Sequence, residues 1–241
     1  MNVAVILAAG LGSRFGDITK YVPKGMIKVG TTPMIQSSIE NLQKSGYSEI
    51  LLVTGHCSEV YDNFVKRWSN VKTIKNPFYA KTGSLFSLYL ALSECRKFKF
   101  NNLTILESDI IYDGRILDSI PSSNCMIIAE PKGFDIGDEC WVQIEDDKIT
   151  KISKDSKKIK NAKYEMIGIT NVSMNSISSV NEYEKMLSES LYLLSKNDLE
   201  DYENLITGMK SFTAIKTDLA WAEMDNAKHL EYATEHILPK I

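Results

Sequence analysis

The chain opens on a short apolar, β-branched run, Val3–Leu7, that ends in Ala8-Ala9-Gly10, the pattern of a buried strand entering a glycine turn. Apolar residues then recur at helical spacing through Ile35, Ile39 and Leu42, a stretch that Thr32-Pro33 caps and Gly46 closes. Glu49–Thr54 predicts a second strand, and Val60, Phe64 and Trp68 share one face of an amphipathic helix after it. Val71–Lys75 reads as a strand, about Leu85 to Arg96 as a helix, and Leu103–Glu107 as another buried strand. Alternation at this spacing predicts a mainly parallel sheet with helices on both faces. From about Asn124 the pattern changes. Met126–Glu130, Trp141–Ile144, Lys148–Ile152 and Met166–Val172 read as strands with little helix between them, with Asp146-Asp147 as a hairpin turn. The lysine-rich stretch Lys151–Lys163 is expected to be a solvated hairpin or loop. Helices are expected over about Val180 to Leu194, through Tyr202–Met209 and over Ala227–Ile237, with Phe212–Lys216 as a late strand. No repeat or linker interrupts the pattern, so residues 1–241 are expected to form a single domain.

Composition mainly excludes. With 44% hydrophobic and 24% charged residues the chain matches ordinary globular proteins, which rules out disorder. Its 28 basic and 31 acidic residues give a formal charge of −3, leaving no excess positive charge for a phosphate backbone. This argues against a general nucleic-acid binder and leaves room for a local basic pocket that takes one small anion. Cys57, Cys95, Cys125 and Cys140 are scattered and form no CxxC pair, which reads as reduced structural thiols. His56, His229 and His236 form no HExxH or HxxxH spacing, so metal-hydrolase chemistry built on imidazole is not expected. No apolar run approaches the length of a membrane span, and Val3–Ala9 is too short for a signal segment. A cytoplasmic protein is expected.

The most informative stretch is Leu7-Ala8-Ala9-Gly10-Leu11-Gly12-Ser13-Arg14, followed by Pro23-Lys24 and then Thr32-Pro33-Met34. Gly10 and Gly12 let backbone amides approach an anion closely, and Arg14 and Lys24 can add positive charge to a polyphosphate held there. A dinucleotide fingerprint fails, because Phe15 stands where the third glycine belongs. A P-loop fails as well, because no GxxxxGK[ST] occurs.

The ordered set LAAGxGxR, PK and a further proline opening a helix resembles the nucleotidyltransferase superfamily that makes sugar nucleotides and CDP-alcohols. Asn76-Pro-Phe-Tyr-Ala-Lys-Thr-Gly83-Ser84-Leu-Phe-Ser-Leu-Tyr89 is similar to the segment that bacterial phosphocholine and 2-aminoethylphosphonate cytidylyltransferases place against the cytosine. Those relatives usually carry Asn-Asn where this chain has Gly83-Ser84. Glu107-Ser108-Asp109 and Trp221-Ala-Glu-Met-Asp225 resemble the two segments that hold the family's metal-binding aspartates. The resemblance implies a Rossmann-like α/β fold, a three-layer mixed sheet of the glycosyltransferase-A type. About residues 1–120 would bind the nucleotide and about 121–241 the acceptor. It further implies Mg2+ held by Asp109 and Asp225, with Glu107 and Glu223 as their partners. Arg14, Lys24 and Lys154 are then the cationic groups of catalysis, the first two on the β- and γ-phosphates and Lys154 at the acceptor phosphate. Leu7, Ala8, Ala9, Gly10, Gly12, Ser13, Gly83 and Ser84 become nucleotide contacts.

Asp138-Glu-Cys-Trp141 resembles the relatives' Asn-Glu-Trp segment, which puts Trp141 at the face offered to a cationic head group. The acidic run around Tyr202, with Asp201 in it, would add charge. CTP and a small phosphorylated amine or phosphonate are thus the expected substrates, with a sugar-1-phosphate nucleotidyltransferase and a non-catalytic nucleotide-binding regulator as competing readings. Tyr192 is the candidate aromatic of a homodimer interface.

Overall fold

The computed structural model describes residues 1–97, 99–131, 139–173 and 211–241, together with residues 185 and 188. The helices expected over Val180–Leu194 and Tyr202–Met209, and with them Tyr192, Asp138, Asp201 and Tyr202, lie outside the described residues.

Strand β1 (Asn2–Ala8) is buried from Val3 onward, because helices cover both of its faces. Its alternate residues feed two different cores. Val3, Val5 and Leu7 pack with Leu85, Leu88 and Leu92 of helix α3 (Ser84–Cys95). Ala4, Ile6 and Ala8 pack with Ile35, Ile39 and Leu42 of helix α1 (Met34–Lys44). The period of two in the strand and the 3.6 period in the helices therefore build a three-layer sandwich.

β4 (Glu49–Thr54) and β6 (Asn102–Glu107) flank β1 in parallel, and β5 (Val71–Lys75) lies parallel outside β4. Two short strands, β2 (Lys28–Val29) and β3 (Thr32–Pro33), form a hairpin ahead of α1, so Thr32-Pro33 is extended and leads into the helix. Helix α2 (Ser58–Phe64) follows β4.

Beyond β6 the sheet stops being parallel. The long β11 (Tyr164–Ser173) runs antiparallel to β6 and to β8 (Cys125–Ala129). β12 (Phe212–Lys216) is parallel to β8 and antiparallel to β10 (Lys148–Ser153), which pairs with β9 (Trp141–Glu145). β9 returns to the start of β11, so these five strands close a ring of pairings. The turn between β9 and β10 holds Asp146 and Asp147 at φ 49° and 59°, the conformation of a two-residue hairpin that short acidic side chains tolerate. Among the described residues, no helix is long and apolar enough to cross a membrane.

A separate antiparallel pair, β7 (Ile110–Tyr112) and β13 (Trp221–Glu223), was not legible in the sequence pattern and proves decisive for the site. Helix α4 (Arg115–Asp118) follows β7, and α5 (Ala227–Tyr232) follows β13, with Asn226 as its side-chain cap.

Candidate active site

The glycine loop leaves the carboxyl end of β1 and is held at both ends. The backbone N–H of His56 donates to Ala9 O, and its Nε2 lies 2.7 Å from Thr19 O. Inside the loop Gly12 adopts φ 66°, and its carbonyl accepts from Thr19 Oγ1 at 2.8 Å and from the Phe15 amide at 3.0 Å. Phe15 is buried among Ile27, Met34, Ile111 and Met224, which anchors the turn that carries Arg14. His56 and Thr19 were not singled out from the sequence, since neither carries a spacing signal.

Opposite the loop lies the segment from Asn76 to Ser87. Asn76 is fully buried and satisfied: its Nδ2 donates to Thr82 Oγ1 at 3.0 Å and Ser87 Oγ at 3.1 Å, and its Oδ1 accepts from the Phe78 amide at 2.9 Å. These bonds fix the approach to the N-terminus of α3, a helix end suited to anions. Between the two walls is a pocket of about 340 Å³. Leu7, Ala9, Gly10 and Arg14 form one side of it, and Tyr79, Thr82, Gly83, Ser84 and Ser87 the other. Lys154 reaches the pocket from the end of β10, while Glu107, Asp109 and Glu223 supply its acidic wall.

The pairing of β7 with β13 assembles that wall. Glu223 stands opposite Ile110, and the Met224 amide donates to Asp109 O at 2.7 Å. Segments far apart in sequence thereby bring their carboxylates together. Single ligand atoms of Glu107, Asp109 and Glu223 lie within 4.8 Å of one another. Burial, and after it the charges of Asp109, Glu107 and Asp225, hold the Glu223 carboxyl well above the usual carboxylate range, with Lys24 opposing.

Asp225 lies behind the wall and is 1% exposed. Its backbone N–H donates to Nδ1 of His229, whose buried imidazole is held below its ordinary pKa, by desolvation first. Lys24 does not line the pocket. Its Nζ donates to Asp109 Oδ2 at 2.6 Å and Asp225 Oδ1 at 2.7 Å, and Arg14 Nη2 is 2.8 Å from the same Asp225 oxygen. Burial acts to lower the Lys24 pKa, but the charges and hydrogen bonds of Asp109 and Asp225 override it and raise the value above that of an ordinary lysine.

The second oxygens, Asp109 Oδ1 and Asp225 Oδ2, are buried and have no hydrogen-bond partner among the described residues. Orphaned carboxylate oxygens beside a carboxylate cluster are the donor set that a hard divalent cation takes, so the residues fit a metal.

Of the remaining residues marked from the sequence, Ala8 is buried under the sheet, and Gly12 and Ser13 shape the loop without lining the pocket. Trp141 stands outside the three apolar clusters of the described residues, with its side chain half-buried. It pairs with Ser153 on one side and Glu165 on the other, in the strand row that leads to Lys154. Glu165 and Glu139 are both buried, and burial with the Glu139 charge pushes the Glu165 carboxyl up to about 7. Glu165 was not marked from the sequence, because it lies one residue before the expected strand Met166–Val172, whereas β11 starts at Tyr164.

A Rossmann-like layer with a glycine loop and an acidic wall at the strand ends defines a nucleotide-handling α/β protein. Residues 4–123 match the MobA-like NTP transferase domain, which places this stretch of the chain among the nucleotidyltransferases. It is 32% identical over 170 residues to a 2-aminoethylphosphonate cytidylyltransferase of Lancefieldella rimae, a match covering 69% of this chain and 65%, just under two thirds, of that protein. A CTP:phosphoglutamine cytidylyltransferase of Campylobacter jejuni is 25% identical, with 96% and 99% of the two chains covered. The solved CTP:phosphocholine cytidylyltransferase of Streptococcus pneumoniae superposes with a TM-score of 0.74 at 19% identity, covering 97% of this chain and 98% of that one. The fold is thus the glycosyltransferase-A type of nucleotidyltransferase.

Proposed function

We propose that the protein is a cytidylyltransferase that moves CMP from CTP onto a small amine-bearing phosphate or phosphonate and releases pyrophosphate. The observation that carries this reading is the pocket itself: a glycine loop with Arg14 faces the N-terminus of α3, and Lys154 joins an acidic wall of Glu107, Asp109 and Glu223. The names of the relatives support the nucleotide and the acceptor class.

An acceptor oxygen attacks the α-phosphorus, and the bond from that phosphorus to the oxygen bridging it to the β-phosphorus breaks. A phosphate monoester has a second pKa near 6, so the nucleophile is already anionic and needs no general base. The work left to the protein is to position two anions and neutralise their charge. Loop amides and Arg14 hold the triphosphate, and Gly83 and Ser84 meet the nucleoside. Lys154 draws in the acceptor phosphate. Trp141, with Glu139 and Glu165 near it and the acidic run at Asp201-Tyr202, receives the ammonium.

Asp109 and Asp225, with Glu107 and Glu223, would hold Mg2+, which when bound supplies charge neutralisation on the phosphates. The test is pyrophosphate release with Mg2+, crossing CTP, UTP, GTP and dTTP against phosphocholine, 2-aminoethylphosphonate, phosphoethanolamine and glucose-1-phosphate. Release is expected with CTP and an amine acceptor, and Asp109→Asn should lower it at least about 100-fold. Release only with the hexose phosphate, or none at all, would overturn the reading.

A further inference from the structure

Lys24 is expected from its motif to hold phosphates, yet it lies outside the pocket lining and is committed to two carboxylates, Asp109 at 2.6 Å and Asp225 at 2.7 Å. Its side chain is 12% exposed and that of Asp225 1%, so this pairing is made where water screens it little. Arg14 adds a second cation at 2.8 Å from the same Asp225 oxygen. Two carboxylates therefore face two cations, and the Asp109–Asp225 pair is matched in charge. At the same time Asp109 Oδ1 and Asp225 Oδ2 remain buried without partners among the described residues, an arrangement costly to keep unless something else uses those oxygens. An ammonium and a hard divalent cation compete for one set of carboxylate oxygens. A cation that enters while Lys24 stays in place adds a positive charge that this balanced pair does not compensate, in a partly dry site.

We propose that Lys24 is the resident counter-cation of the Asp109–Asp225 pair. It yields those carboxylates to a divalent cation only when a nucleoside triphosphate arrives to take over its ammonium. The inference rests on the nucleotidyl-transfer reading above and adds an order to it: metal and nucleotide enter together, and the protein without nucleotide holds divalent cations poorly. Lys24 then has two partners in succession, aspartates first and phosphates second. This reconciles its motif with the place it occupies here.

The test is Mn2+ binding to the full chain without acceptor, followed by water proton relaxation, so no turnover enters the readout. Without nucleotide the wild-type protein should bind Mn2+ weakly, and Lys24→Gln should bind it at least about tenfold more tightly. Lys24→Arg keeps the charge and should stay weak. Adding Asp109→Asn to Lys24→Gln should remove the gain, which places the ion at these carboxylates. In thermal melts Lys24→Gln should unfold below the wild type and recover as Mn2+ is added, while the wild type hardly moves.

Equal or weaker Mn2+ binding by Lys24→Gln would overturn the proposal. So would wild-type protein that binds Mn2+ as tightly alone as with CTP, a comparison that decides the matter even if the variant does not fold. A failure of the acceptor assay with this binding pattern intact would count against the cytidylyl reading and leave the role of Lys24 standing.

Discussion

Two pairs of neighbouring carboxylates, one at the acidic wall and one in the strand ring, sit in different surroundings. Asp109 and Asp225 are met by the ammonium of Lys24 and the guanidinium of Arg14. Glu139 and Glu165 are buried in the strand ring, where burial first and the Glu139 charge second push the Glu165 carboxyl up to about 7. The difference follows from position. The first pair is assembled by β7 and β13 over the motif segment that carries Lys24, whereas burial governs the second. The first pair meets cations carried by the chain itself, whereas burial and a like charge favour the protonated form of Glu165.

The sharpest way to break the comparison is to remove the shared member of the first pair. Asp225→Asn keeps the shape but leaves Lys24 and Arg14 facing one carboxylate. Losing one partner of a buried ion pair costs about 3–5 kcal/mol, so the melting temperature should fall by roughly 10 °C. A variant that melts like the wild type would mean that the ion pairs contribute little to stability.

The second pair should respond with the opposite sign. The folded Glu165 carboxyl keeps its proton up to about pH 7, while in the unfolded chain it ionises near 4.5. Between those values the folded state binds more protons than the unfolded one, so stability is lost as pH rises through the window. Glu165→Gln should therefore stabilise the protein above pH 7 by at most about 3 kcal/mol and leave it unchanged below pH 4. Urea unfolding at pH 4 and pH 8 measures this. A gain of the same size at both pH values would assign the effect to packing.

How far each pair was legible in the sequence differs for the same physical reason. Arg14, Lys24 and the glycines announce themselves because an anion loop needs fixed residue types at short spacing. The helix faces of α1 and α3 and strands β1, β4 and β6 follow from periodicity alone. Asp109 and Asp225 could be marked only by resemblance, since their meeting depends on β7 and β13, three residues each, too short to show alternation. That Lys24 joins the aspartates, where phosphates were expected, is a property of three-dimensional charge balance that spacing does not encode. Glu165 gave no signal at all. It falls one residue before the expected strand Met166–Val172, and in the structure it stands between Ala129 of β8 and Trp141 of β9.

β11 links the two pairs, and the smallest of the expected effects probes that link. Gly168 lies three residues beyond Glu165 at φ 77°, within the register shift between Met166 and Thr170. A Cβ added there would stand 3.2 Å from Cβ of Glu107, in the acidic wall. Gly168→Ala should cost about 1–2 kcal/mol for the left-handed backbone, or roughly 2–8 °C in melting temperature. Glu107 has to give way by a few tenths of an ångström. If the wall must be placed that closely, pyrophosphate release should fall on the order of tenfold at a temperature where the variant remains folded, because small misplacements near reacting groups are expensive. Unchanged release in a folded variant would show that Glu107 tolerates the shift, and would leave Asp109, Asp225 and Glu223 as the carboxylates on which the site depends.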